Sequence, residues 1–382
     1  MNPQHQNFLH LSTSNKSTPA MQALTVDRMK GFTLVELMIS LVLGLLVSAA
    51  ALQVFYTSSV NSRRQEASSQ IQENAIFGFS QIQQHLRRSN YGAKSIGAYD
   101  EFFMNHLTPQ GGLVLTAPSG MGTPVSWLQG NLSGLVLNGN AVPAALLSSN
   151  ESGNSISNID GIANSDQLTI QYRSDRAGTF DCEGAEIPEG FYVIERYFVR
   201  MDTTVSPNAP GLACASAIYD YNETTAGLPT GIDIKEYEIP AVPAVTTAPV
   251  KAAIPASTQA NNLAGIGTII IPNVDYFRAK LGISSSRDFA TDPQNLVIAY
   301  IPIPTATNLT AALNARRIVS LQIGILARSD NPTATAQANS ELTFTVLDKA
   351  NVALNSAAIS GPTYLRNVYE TTVLLRNARG GL

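Results

Sequence analysis

The chain is poor in the residues from which most enzymes and electrostatic binders are built. Only 14% of its 382 residues are charged, and it has four histidines, two cysteines and one tryptophan. Two of the histidines fall in the first 31 residues, which leaves His85 and His106 for everything beyond. A histidine-based triad or a zinc centre needs partners that so sparse a set does not supply. P-loop, glycine-rich dinucleotide and HExxH motifs are missing as well. The expectation is a protein that is not an enzyme and carries no cofactor. Positive charge is also scarce. Residues 1–31 hold a net +2 from Lys16, Arg28 and Lys30 against Asp27, so the overall −4 leaves about −6 on the remainder. An acidic body argues against nucleic acid as a direct partner. The pairs Arg63-Arg64, Arg87-Arg88 and Arg316-Arg317 lack interleaved aromatics and read as solvated faces or membrane-surface contacts. His85, beside Arg87 and Arg88, reads as part of an exposed polar face.

Proline is absent between Pro19 and Pro109, and that stretch contains what the chain does have: one long apolar run. Residues 1–31 are polar and aperiodic and read as a leader, with Met21 and Met29 as alternative starts. From Phe32 to Tyr56, about 25 residues make roughly 37 Å of helix, enough to cross a bilayer. Val60, Ala67, Ile71, Ala75, Ile82 and Leu86 continue at helical spacings among polar residues, so an amphipathic helix is expected over 57–90. With no proline to break it, the whole is a single helix of roughly 85 Å.

Residues 91–382 change to short β segments punctuated by Gly, Pro, Asn and Ser. Strands are expected at 112–117, 167–174, 191–200, 267–272, 295–303, 317–329, 342–347 and 369–376. In the last, Tyr369, Thr371, Val373 and Leu375 share a face. The fold class is α+β: a long N-terminal hydrophobic and amphipathic helix packed on a mainly antiparallel β-sheet domain with long loops. Two surface loops are expected, at 148–165 and in the Pro/Ala-rich stretch 239–262. Within the first, Asp160, Asn164 and Asp166 have oxygen ligands for calcium, but Asx turns give the same composition and the spacing is not that of an EF-hand. No metal site is assigned. Cys182 and Cys214 both lie past the apolar run and share any exported compartment. They read as a disulfide contributing roughly 3–4 kcal/mol on the chain-entropy model, with two unpaired buried thiols as the alternative.

Glu36 is the only charge between Lys30 and Arg63. Either it snorkels from the end of the span to the headgroups, or a partner neutralises it, because an ionisable group in hydrocarbon is costly. Its own helix offers no cation after Lys30, so a free α-amino group from another subunit is the natural supplier.

The stretch "KGFTLVELMISLVLGLLV" resembles the processing and assembly motif of type IV pilins. That resemblance implies cleavage between Gly31 and Phe32 by a prepilin peptidase, N-methylation of the new Phe32 amine, and pairing of Glu36 with such an amine on a neighbour. The segments "SDQLTIQY", "DCEG", "GLACAS", "RIVSLQIGILARS" and "YLRNVYETTVLLRN" resemble the PilW family of minor pilins. The implication is a chain held in the inner membrane by one span, with its C-terminal domain in the periplasm and later on the pilus and cell surface. Its implied partners are other minor pilins, the major pilin, the prepilin peptidase, inner-membrane lipid and a PilY-type tip adhesin, and its implied place is near the tip of a filament that it helps to prime. Two rivals stay open. One is a J-type pseudopilin of type II secretion. The other is a soluble secreted binding domain released by signal peptidase at Ala49–Ala51.

Overall fold

A computed structural model describes residues 31–92, 104–117, 130–151, 156–205, 207–221, 232–234, 237–239, 243–244, 246–247, 257–259, 261–284, 298–314, 316–333 and 338–378. The chain divides into two compact units, Met1–Ser58 and Ser59–Leu382. Apart from Gly31, the expected leader lies outside the described residues.

One helix, α1 (Leu34–Arg88), begins in the first unit and ends in the second. In the first unit it is apolar on every side, and residues 31–58 are all exposed. A helix hydrophobic all round has no solvated face and needs an apolar surrounding from elsewhere. By length and composition it can cross a membrane.

In the second unit α1 turns amphipathic, burying Ala67, Ile71, Ala75, Gly78, Phe79, Ile82, His85 and Leu86. Five of the six positions expected to form its apolar stripe are in that set, and Val60 is half-buried. The helix stops where Asn90 takes a left-handed φ of 66° and Asn377 Nδ2 donates to the carbonyl of Arg87 at 2.9 Å. One carbonyl that the helix end would leave without a partner is thereby satisfied.

The described strands are β1 (Leu135–Leu137), β2 (Asn140–Ala141), β3 (Leu168–Arg173), β4 (Thr179–Phe180), β5 (Glu186–Ile187), β6 (Tyr192–Asp202), β7 (Ala209–Tyr219), β8 (Ile232–Ile234), β9 (Tyr237–Ile239), β10 (Ser257–Gln259), β11 (Thr268–Pro272), β12 (Val274–Ser284), β13 (Ile298–Pro302), β14 (Ile318–Arg328), β15 (Thr343–Val346), β16 (Lys349–Ala353) and β17 (Arg366–Leu374). Two four-stranded antiparallel sheets dominate, in the orders β11-β7-β6-β3 and β13-β12-β14-β17. Asn273, at a left-handed φ of 57°, is the one residue between β11 and β12, where the chain passes from one sheet to the other.

Period-two alternation sorts each sheet into two faces. Val193, Tyr197 and Val199 of β6, Leu212 and Cys214 of β7, Phe277, Leu281 and Ile283 of β12, and Leu321, Ile323 and Ile325 of β14 join Ile71, Phe79, Ile82 and Leu86 of α1 in one core. Tyr192, Ile194, Ala217 and Tyr219 point the other way, under a smaller sheet of order β2-β1-β8. Tyr276 and Leu326 lie under the β15–β16 hairpin. Helix and sheet approach closely at Gly78, where an added Cβ would stand 2.2 Å from Cγ1 of Ile271.

Six of the eight expected strands coincide with β3, β6, β11, β13, β14 and β15, and β17 begins three residues before the stretch expected at 369–376. The stretch 112–117 is not a strand. It lies alongside β3, buried over 112–115, with one isolated bridge, Leu113 to Ile170. Two eleven-residue strands were not expected, β7 and β12. Within the Pro/Ala-rich stretch, Ile239 of β9 pairs with Ser257 of β10, so one ladder closes its ends, and most of what lies between falls outside the described residues. Arg317 is buried and does not form a solvated face. Asp166 is also buried, 3.1 Å from the Arg278 guanidinium, while Asp160 is exposed. The structure therefore gives Asp166 an arginine in place of a shared cation loop with Asp160.

Candidate functional site

Two places gather polar chemistry in otherwise apolar surroundings. The first is the start of α1. Thr33 stands before the first helical residue and Glu36 three positions later. The Thr33 hydroxyl oxygen accepts from the Glu36 N–H at 3.2 Å, and the carboxylate Oε2 accepts from the Thr33 N–H at 3.1 Å and from its hydroxyl at 3.1 Å. This is a reciprocal capping box, in which each side chain satisfies a donor that the helix leaves open. One turn on, Ser40 donates its hydroxyl to the Glu36 carbonyl at 2.7 Å, so that polar group too finds its partner within the helix. Gly31 and Phe32 precede the helix and are exposed. Thr33 is legible in the sequence as the first residue of a T-x-x-E pattern ahead of an apolar run.

The second is a carboxylate inside the core of the larger unit. Glu195 sits on the α1 face of β6, between Val193 and Tyr197, and is fully buried. Four donors surround it: His85 Nδ1 at 2.9 Å, the Tyr172 hydroxyl at 2.9 Å, the Cys182 N–H at 3.0 Å and the Tyr197 hydroxyl at 2.7 Å. His85 is thus buried, against the expectation of an exposed polar face, because the turn of α1 that carries it packs over β6. Burial pushes the Glu195 pKa up, but His85 and the two tyrosine hydroxyls outweigh it and hold the carboxyl below its ordinary range. The group therefore stays ionised in the core. Its signal in the sequence was a charged pair, Glu195-Arg196, in the middle of the apolar strand "FYVIERYFVR".

Cys182 and Cys214 form a disulfide across 32 residues. It ties the turn between β4 and β5 to β7, where Cys214 pairs across the ladder with Tyr197. The bond thereby fixes the turn whose Cys182 N–H reaches Glu195. Among the described residues, no group of three His, Cys, Asp or Glu side chains is placed to hold a metal ion.

Two family models match separate stretches of the chain. Residues 27–52 match the prokaryotic N-terminal methylation motif, a span that contains Gly31, Phe32, Thr33 and Glu36. Residues 248–377 match the family described as Type IV Pilus-assembly protein W. One chain thus carries a match to the methylation motif near its N-terminal end and a match to the pilus-assembly family over its last third. The PilW match takes in β10 to β17. Of the segments resembling PilW proteins, those at 165–216 lie before the matched residues and those in β14 and β17 lie within them. No curated protein sequence matches the chain. Among solved structures, a type IV-like pilin from Thermus thermophilus aligns at 11% identity over 56% of this chain and 80% of its own, with a TM-score of 0.24. That likeness is too loose to carry anything further.

Proposed function

We propose that this chain is a minor pilin that takes part in type IV pilus assembly, anchored in the inner membrane before it enters the filament. The observation that carries the reading is the pairing of a methylation-motif N-terminus with a PilW-type region in one chain. Prepilin peptidase cuts after Gly31, the Phe32 amine is methylated, and the sheets stand on the periplasmic side. The apolar half of α1 packs beside other pilins, and Glu36 meets the amine of a neighbouring subunit. With other minor pilins the chain primes the filament and stays near its tip, where a PilY-type adhesin is its partner.

The capping box refines the Glu36 role. The carboxylate already has partners within its own helix, so a neighbour's amine adds a charge partner to a group that is hydrogen-bonded beforehand. Charge pairing and capping are separable by mutation. Glu36→Ala removes both, whereas Thr33→Ala leaves the carboxylate and removes its reciprocal cap, at a cost of about 1 kcal/mol to the helix start. Quantifying the protein in sheared pili should give strong loss for Glu36→Ala and near-normal incorporation for Thr33→Ala. Equal losses would assign Glu36 to capping alone, and wild-type levels for Glu36→Ala would remove its assembly role. The mass of the N-terminal peptide from native membranes tests processing directly: it should begin at methylated Phe32, and a start at Leu52 would point to a secreted domain.

A further inference from the structure

We propose that His85 and Glu195 form a proton-operated clasp that holds the last turns of α1 against β6, gripping while His85 carries its proton and loosening when it loses it. Its receptor is already assembled. Glu195 is buried with three hydrogen-bond donors besides the histidine, supplied by β3, by β6 and by the disulfide-tethered turn. The helix contributes one group to it, His85, whose side chain is 10% exposed. His85 also lines an open hollow of about 450 Å³ that Gln84, Arg88, Arg176 and Asp181 help to wall. Water can therefore reach the imidazole and exchange protons with it, while the carboxylate stays sealed behind.

The groups facing His85 are Glu195 of β6, Tyr172 of β3, Arg88 of its own helix and Asp181 of the β4–β5 turn, with Arg176 across the hollow and Tyr197 of β6 bonded to the same Glu195 carboxylate. Burial alone would lower the histidine's pKa, and Arg88 pushes the same way. The Glu195 charge and hydrogen bond, helped by Asp181, reverse both and raise it above 6.5. Tyr172 and Tyr197 are shifted well upward by burial and by Glu195, so they remain neutral donors throughout. A histidine whose folded-state pKa is raised adds stability that is complete below its unfolded pKa and is lost as pH rises through the folded one. A carboxyl with a lowered pKa adds stability above its unfolded value and loses it as pH falls through the lowered one. Both contributions hold only between those two limits. Above the upper limit Glu195 is left as a buried charge with neutral donors alone, and the helix end is held less firmly.

The test uses the full chain in detergent micelles. The His85 imidazole is titrated by NMR, and amide exchange over Gln83–Leu86, corrected for intrinsic rates, is followed from about pH 6 to about pH 9. The proposal expects a titration above 6.5 and protection that falls by roughly tenfold for each unit by which the pKa is raised. In His85→Gln, which keeps a hydrogen-bonding side chain without the titration, that fall should vanish. A wild-type titration at or below 6.5, or the same fall in His85→Gln, would overturn the clasp. If the variant does not fold, the wild-type titration decides.

Discussion

The two halves of α1 solve opposite problems with one secondary structure. Before Ser58 the side chains are largely apolar and exposed, and the polar side chains near the helix start, Thr33, Glu36 and Ser40, are hydrogen-bonded within the helix. After Ser59 a narrow stripe is apolar, and the same chain supplies the surface that covers it. The difference teaches where each half draws its stability. Helical hydrogen bonding is common to both, but hydrophobic burial comes from within the chain only for the second half. In the proposed reading the first half takes it from lipid and from neighbouring helices.

Mutations can break or sharpen that contrast. The largest effect is expected from a paired comparison: Leu86, at 0% exposure, against Leu46, at 62%. Leu86→Ala should destabilise the domain by about 2–5 kcal/mol in denaturant unfolding, and Leu46→Ala should stay within about 0.5 kcal/mol in the same assay. Comparable values for the two would mean that the halves are not energetically distinct. Replacing Cys182 and Cys214 with serine should cost roughly 3 kcal/mol through the freed unfolded chain. It should also lower amide protection at the end of α1, because the tether positions one of the donors to Glu195. A smaller loss, about 1–3 kcal/mol, is expected for Gly78→Ala, since a methyl group there must displace Ile271. A thermal midpoint for Gly78→Ala equal to wild type would show that helix and sheet separate there at little cost.

The contrast also explains what could be read in advance. The apolar run, its amphipathic continuation and its lone carboxylate depend on local composition and period, which are properties of the chain itself. Strands with bulky alternating residues, such as β14 and β15, announce themselves for the same reason. Strand β7, "APGLACASAIY", has small side chains, a proline and a glycine, and it is a strand because β6 and β11 pair with it on both edges. Strand β12 carries Asp275, Arg278 and Lys280, which break the apolar pattern. Two of these charges are buried only because other elements meet them, Arg366 at 2.7 Å from Asp275 and Asp348 at 2.9 Å from Arg278. The stretch 112–117 has strand-like composition but only a single bridge to β3.

The sequence alone determined the helix and its capped and charged start, because each rests on neighbours within a few residues. Only the tertiary structure decided that His85 is interior and that Glu195 has four donors. Those donors come from residues 85, 172, 182 and 197, and a buried charge is tolerated only where distant segments converge to replace the water it has lost.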